Sequence, residues 1–175
     1  MAITLNVPFV TQLDIGGTGR DDPTGCWYAS ACMVGFYFEA GPRQGLPELF
    51  KKALATGLAG HYATGSAEAN TLCANHHDLL AAREQLEPVA NCATAHVYTT
   101  AEIETLLRER GPIFLYWMKT HGGQTYGHAS VIIGVDGSDI FYHDPEKAPN
   151  SKMSIGQLHT VRQQWKYALM QRKKA

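Results

Sequence analysis

The run from Cys26 to Phe38 reads CWYASACMVGFYF, apolar on nearly every helical face, and Gly41-Pro42 follows it. A helix with so little polar surface has no side to give to water, so the rest of the chain must cover it. Any fold open to this sequence is built around a buried central helix that stops before the Gly-Pro pair. The first residue of that helix is a thiol. In the first turn it meets the positive end of the helix dipole and unpaired N–H groups, both of which favour thiolate over thiol. Free cysteine is also among the most buried residue types, so Cys26 by itself reads equally well as a small core residue. A base within reach would decide between the two.

His128 is the candidate base. It lies in Thr125-Tyr126-Gly127-His128-Ala129-Ser130-Val131-Ile132-Ile133-Gly134-Val135, whose β-branched run marks a strand buried on both faces. Asp136-Gly137-Ser138 is a tight-turn signal, and Asp139 to His143 reads as the returning strand of a hairpin. Positions equidistant from a turn face each other, which predicts that His128 and Asp144 meet across the ladder. Pro145 then ends the pairing. A carboxylate in that place accepts from one imidazole nitrogen, fixes the tautomer, and frees the other nitrogen to take the thiol proton. Adjacent strand residues point to opposite faces, so His143 cannot share the site with Asp144. The other histidines, His61, His76, His77, His96, His121 and His159, lack such a context and read as surface or loop residues.

The segments GCWYASACMV, GHASVIIGV and IFYHDP resemble the Cys, His and Asn/Asp segments of papain-like cysteine peptidases. The likeness is strongest to the small bacterial branch that includes plant-pathogen effector proteases and C39-like peptidases. The opening Val7-Pro8-Phe9-Val10-Thr11-Gln12 resembles the start of those small members, where a glutamine donates to the oxyanion. The resemblance implies Cys26 as nucleophile, His128 as general base and acid, Asp144 as orienting carboxylate and Gln12 as oxyanion donor. It also implies an α+β, papain-like fold, with an N-terminal helical half whose buried central helix carries the cysteine. A C-terminal antiparallel sheet would carry the histidine and aspartate. Trp27, Gly127 and Trp117 are candidates to line the substrate, and Tyr116, His121, Gly122 and Gly123 are further wall candidates, although core aromatics followed by a loop is the better reading of the stretch from Tyr116 to Gly123. Gln12 stands farther ahead of Cys26 than the family usually keeps it, so the stretch from Asp14 to Gly25 must loop out. Asp14, Asp21 and Asp22 in that stretch are oxygen ligands suited to a hard cation, but they lack calcium-loop spacing, and a solvated loop is the better reading. The backbone N–H of Cys26 would also serve the oxyanion.

With 175 residues and 45% hydrophobic content, the chain can bury a core as one domain over 1–175. Its helical lobe is expected at about 26–111 and its sheet lobe at about 112–175 together with the N-terminal strand. Leu46 to Leu54 and Ser66 to Leu86 read as helices. Thr99 with Glu102 forms a capping box for a helix through Arg110, stopped by Gly111-Pro112. Leu5 to Val10, Ala93 to Tyr98, Ile113 to Met118 and Trp165 to Met170 read as strands.

A net charge of −1 argues against a nucleic-acid or membrane binder that works by electrostatics. No apolar run approaches membrane-span length, and Met1 to Thr11 lacks the pattern of a signal peptide. The chain is therefore expected to be made in a cytoplasm, and export by a leaderless machine would suit the effector resemblance. Four cysteines make no disulfide framework at this size. Cys26 and Cys32 stand roughly 9 Å apart along one helix, too far to bridge. Cys73 with His77 and Cys92 with His96 hold the donors of a tetrahedral zinc, but the first pair lacks the close spacing of a structural site. No metal or cofactor is expected.

Three functions are compatible with these residues. A cysteine endopeptidase acting on protein or peptide through an acyl-enzyme is the best supported. An amidase, deamidase or transamidase toxin, cutting peptidoglycan stems or modifying glutamine, would use the same triad. A non-catalytic papain-fold binding module would have no need to keep all of Cys26, His128 and Asp144. With Val7 already at the start of the mature-like domain, no inhibitory pro-segment is expected in this sequence. Either it is a processed or excised form, or activity is controlled another way, for which a host activating factor or an immunity protein would both fit.

Overall fold

The computed structural model describes residues 2–13, 25–38, 78, 81 and 85–174. The helix expected at 46–54, most of that at 66–86, the acidic residues Asp14, Asp21 and Asp22, and Cys73 with His77 lie outside the described residues. Helix α1 spans Cys26–Phe38, the bounds its apolar run predicts. Among the described residues the sheet has seven strands, all paired antiparallel. They are β1 (Ile3–Thr4), β2 (Leu86–Pro88), β3 (Ile113–His121), β4 (Gln124–Asp136), β5 (Asp139–Asp144), β6 (Ala148–Ser154) and β7 (Leu169–Arg172). Across the sheet they run β2-β7-β3-β4-β5-β6, and β1 pairs with β4 beyond the point where β3 begins.

Two further helices with described bounds are α2 (Thr100–Arg110) and α3 (Ile155–Val161), and residues 78 and 81 are helical as well. Helix α2 starts at the expected capping box, Thr99 and Glu102 each accepting from the other's backbone N–H, and ends at Gly111. A second box, Ser154 with Gln157, starts α3.

Strand alternation sorts the core onto two faces. Ile113, Leu115, Trp117 and Ile132 pack under Ile103 and Leu107 of α2 and Leu158 of α3. Phe114, Ala129, Val131, Ile133 and Met170 pack under Ala31, Met33 and Val34 of α1. Strand β4 is thus covered on both sides, as its β-branched run requires.

Several expected elements differ. Leu5 to Val10 is not a strand: Leu5 N–H still reaches Ile133 O, but Val7 N–H turns back to Leu5 O, and Pro8 has no donor to continue a ladder. Ala93 to Tyr98 is a turn and an extended segment. There Thr94 Oγ donates to Asn91 O, and Arg162 takes the carbonyls of Cys92, Thr94 and His96 that a ladder would have used. Leu86 belongs to β2 rather than to a helix, because Gln85 at φ 51° breaks the helical path before it. The sheet therefore reaches into the region expected to be a helical lobe. The last strand runs from Leu169 rather than Trp165, since Ala168 N–H turns back to Trp165 O. Strand β6 and helix α3 were not anticipated.

Candidate active site

Cys26 is the first residue of α1, and the carbonyl of Gly25 before it already accepts from Ala29. Its thiol is free, half-buried, and within hydrogen-bonding reach of His128. His128 is buried on β4 opposite Trp117 of β3, whose ring meets the imidazole edge-on with centroids 5.8 Å apart. His128 Nε2–H donates to Asp144 Oδ1 at 2.7 Å, which leaves Nδ1 as the ring nitrogen for the thiol.

His128 and Asp144 meet as expected, but through another register. The last paired position is Val131 with His143, and β4 bulges between Ile132 and Gly134. Continuing that ladder sets Asp144 opposite Ser130, diagonal to His128 on the same face. The bulge sits where β1 joins: Ile133 O accepts from Leu5, and a Cβ on Gly134 would lie 2.5 Å from Ile3 O. Only glycine lets β1 approach there.

Asp144 is fully engaged. Its Oδ1 also accepts from Glu146 N–H at 3.0 Å, and its Oδ2 accepts from Lys119 Nζ at 2.8 Å. Lys119 donates at 2.7 Å to Glu146 Oε2, which accepts from the Tyr126 hydroxyl at 2.6 Å. Sequence reasoning missed Lys119, Glu146 and Tyr126. A signal existed, because Lys119 stands two residues after Trp117 in an apolar strand and so shares its face, and that face is His128's.

The charges follow from these partners. Burial alone would push the His128 pKa down, but the hydrogen bonds and charges of Asp144 and Cys26 outweigh it and push it up to about 9. Burial would raise Asp144, yet His128 and then Lys119 hold its carboxyl below the usual carboxylate range. Burial would lower Lys119, and its bonds to Asp144 and Glu146 raise it instead.

Other expected residues are placed as follows. Gln12 is buried, and its N–H donates at 3.0 Å to the carbonyl of Pro145, which the Thr11 hydroxyl also reaches at 3.2 Å. That anchors Gln12 beside the residue following Asp144. Trp27 is half-buried against the α1 cluster. A Cβ on Gly127 would overlap the Tyr116 hydroxyl, so this glycine seats that ring. Burial and then the charge of Cys26 push the Tyr116 phenol up. Trp117 is buried and donates its indole N–H to Ser130 Oγ at 3.0 Å; it also lines a cavity of about 400 Å³ with Lys119, Tyr142 and Asp144. His121, Gly122 and Gly123 form the exposed end of the β3–β4 hairpin. His143 points away from the site, as expected of Asp144's neighbour.

Among the described residues, ligand atoms of His128, Asp144 and Glu146 lie within 4.8 Å of one another. Lys119 Nζ donates to both carboxylates, so an ammonium already neutralises the group and a metal ion does not fit it. Of the four residues considered for zinc, Cys92 Sγ donates to Lys166 O at 3.0 Å, with burial raising its thiol, and His96 pairs with Glu102 at 3.0 Å.

A family model described as papain-like cysteine protease AvrRpt2 matches residues 1–162. The chain belongs to that family. This papain-like cysteine protease is also similar to a C39-like peptidase from Bacillus anthracis, with a TM-score of 0.56 and 16% identity over 100% of this chain and 98% of that one. At such identity the likeness speaks for the fold alone, a mixed α/β architecture with an antiparallel sheet. The family expected from the cysteine and histidine segments is the family found. Among the described residues, no helix is long and apolar enough to cross a membrane.

Proposed function

We propose that this protease is an effector-type cysteine endopeptidase, one domain over 1–175, with Cys26 as nucleophile, His128 as general base and acid, and Asp144 as orienting carboxylate. Gln12 and the Cys26 N–H are its oxyanion donors. One observation carries the reading: His128 has Asp144 on Nε2 and the Cys26 thiol within reach of the ring, so the imidazole has one partner to orient it and one to activate.

The chemistry then runs in two halves. The Cys26 thiolate attacks the scissile carbonyl, and the oxyanion of the tetrahedral intermediate takes its hydrogen bonds from Gln12 and the Cys26 N–H. Collapse expels the amine, which takes the proton from the His128 imidazolium and leaves a thioester. His128 next removes a proton from water, the hydroxide attacks the thioester, and the acid product leaves with the thiolate restored. Trp27, Gly127 and Trp117 form the substrate's surroundings. Synthesis in a cytoplasm, leaderless export into a target cell, and control by a host factor or immunity protein belong to the same reading.

The test is labelling with an epoxide or vinyl-sulfone inactivator at neutral pH, the adduct located by peptide mass spectrometry, together with a screen of protein substrates. Fast labelling confined to Cys26 and lost in His128→Ala, with peptide-bond cleavage, is the expected result. Slow labelling shared among Cys26, Cys32, Cys73 and Cys92 would overturn it in favour of a binding module. Fast labelling of Cys26 with hydrolysis of peptidoglycan stems or glutamine side chains, and no peptide cleavage, would replace the endopeptidase by an amidase or deamidase.

A further inference from the structure

Asp144 has two carboxylate oxygens and three donors. Oδ1 serves His128 Nε2 and Glu146 N–H, and Oδ2 serves Lys119 Nζ. A carboxylate on a short side chain can turn about its terminal bond, and a turn would take Oδ1 out of line with the imidazole. The bond from Lys119 opposes that turn from the far side. Lys119 is itself a costly group to keep there, since its side chain is only 10% exposed and a buried ammonium needs paired, hydrogen-bonded partners. Those partners are Asp144 and Glu146, and Tyr126 holds Glu146 in turn. Nothing in the hydrolytic steps uses this lysine, because the proton moves between Cys26, His128, the leaving amine and water.

We propose that Lys119 is a positioning residue of the triad, its ammonium holding Oδ2 of Asp144 so that Oδ1 stays aimed at His128 Nε2, with Glu146 and Tyr126 keeping the ammonium in place. It rests on the triad reading above. Lys119 touches no reacting atom and acts through Asp144. The charged and titratable groups around His128 are then Cys26 from α1, Lys119 from β3, Tyr126 from its own strand, Asp144 from β5 and Glu146 from the turn after it.

The readout is the low-field proton NMR resonance of the His128 Nε2–H, observed in a Cys26→Ala background so that no thiolate competes, together with steady-state kinetics in the intact enzyme. Lys119→Met should broaden or abolish that resonance while the amide spectrum of the β-sheet core persists, and should lower kcat on the order of 10-fold to 100-fold with KM little changed. Lys119→Arg should restore part of both. The double variant Lys119→Met with Glu146→Gln removes the carboxylate left without its cation, and so provides a folded comparison if the single variant is unstable. It should still lack the resonance and stay slow. Retention of the resonance and of kcat in Lys119→Met would overturn the proposal. Recovery of both in the double variant would also overturn it, by showing that Lys119 supplies charge balance and not orientation. The resonance reports the His128–Asp144 bond whether or not the protein cleaves peptides. Full activity in Cys26→Ala or His128→Ala would therefore sink the triad while leaving the resonance test to stand on its own.

Discussion

The two faces of β5 near its end each tie down a buried histidine, and they do so with opposite kinds of partner. On one face Asp144 accepts from His128, with Lys119 and Cys26 close by, so the imidazole sits among charges. On the other face His143 donates Nε2–H to Val7 O at 2.9 Å and accepts at Nδ1 from Asn150 N–H at 3.1 Å, both neutral, with the Phe9 ring edge-on at 5.6 Å. Both rings are buried. Burial pushes the His143 pKa down, and the bond to Val7 only partly opposes this. The same burial at His128 is overcome by a carboxylate, and the pKa rises to about 9. Desolvation is common to both, so the charge of the partner decides which histidine can hold and hand on a proton.

The largest expected effect comes from removing the histidine on the charged face. His128→Ala should cut kcat/KM on the order of 10⁴-fold or more in a peptide-cleavage assay, since among the described residues no other buried imidazole reaches Cys26. His143→Ala should leave the rate within a few fold. Comparable losses in both would erase the distinction between the faces. Next is Asp144→Asn, which keeps the shape but removes the charge that separates the two environments. Its single carbonyl oxygen would be claimed by both His128 and Lys119, so a loss on the order of 100-fold is expected, with the alkaline limb of the pH–rate profile moved downward. An unchanged limb would show that Asp144 is not what raises His128.

The wild-type profile sharpens this further. Acylation needs the His128 imidazolium to protonate the leaving amine, so kcat/KM should fall roughly tenfold per pH unit above about 9, where His128 loses that proton. A limb near the ordinary imidazole value of about 6.5 would contradict the charged environment.

How far the sequence carried these faces depends on what each rests on. Helix α1 and the α2 capping box were legible because apolar periodicity and capping are local. His128 and Asp144 were legible because a tight hairpin brings them together, although the bulge at Ile133 moved their register by a step no local pattern marks. Lys119 was not found. Strand alternation places it on the His128 face, but its role depends on a carboxylate two strands away and on the turn at Glu146 folding back over it, neither of which a local pattern marks. The strand expected at Ala93 to Tyr98 failed for a related reason, since Arg162, far along the chain, satisfies the carbonyls that a ladder would have paired.

The smallest effect concerns the neutral face and is read in stability. Replacing His143 with Phe keeps a ring beside Phe9 but strands Val7 O and Asn150 N–H, at a cost of about 1–3 kcal/mol, with kcat unchanged. Its pH dependence separates it from the charged face. The folded pKa of His143 is depressed, so its contribution is present above about 6.5 and is lost as the pH falls through the folded value. The folded pKa of His128 is raised, so its contribution is present below about 6.5 and is lost as the pH rises through about 9. Thermal unfolding from pH 5 to 10 should therefore show His143→Phe flattening the acid side of the stability curve alone, and His128→Ala the alkaline side alone. If either variant flattened both sides, the two histidines would be coupled through β5, and the separation of its faces into a structural and a proton-carrying half would fail.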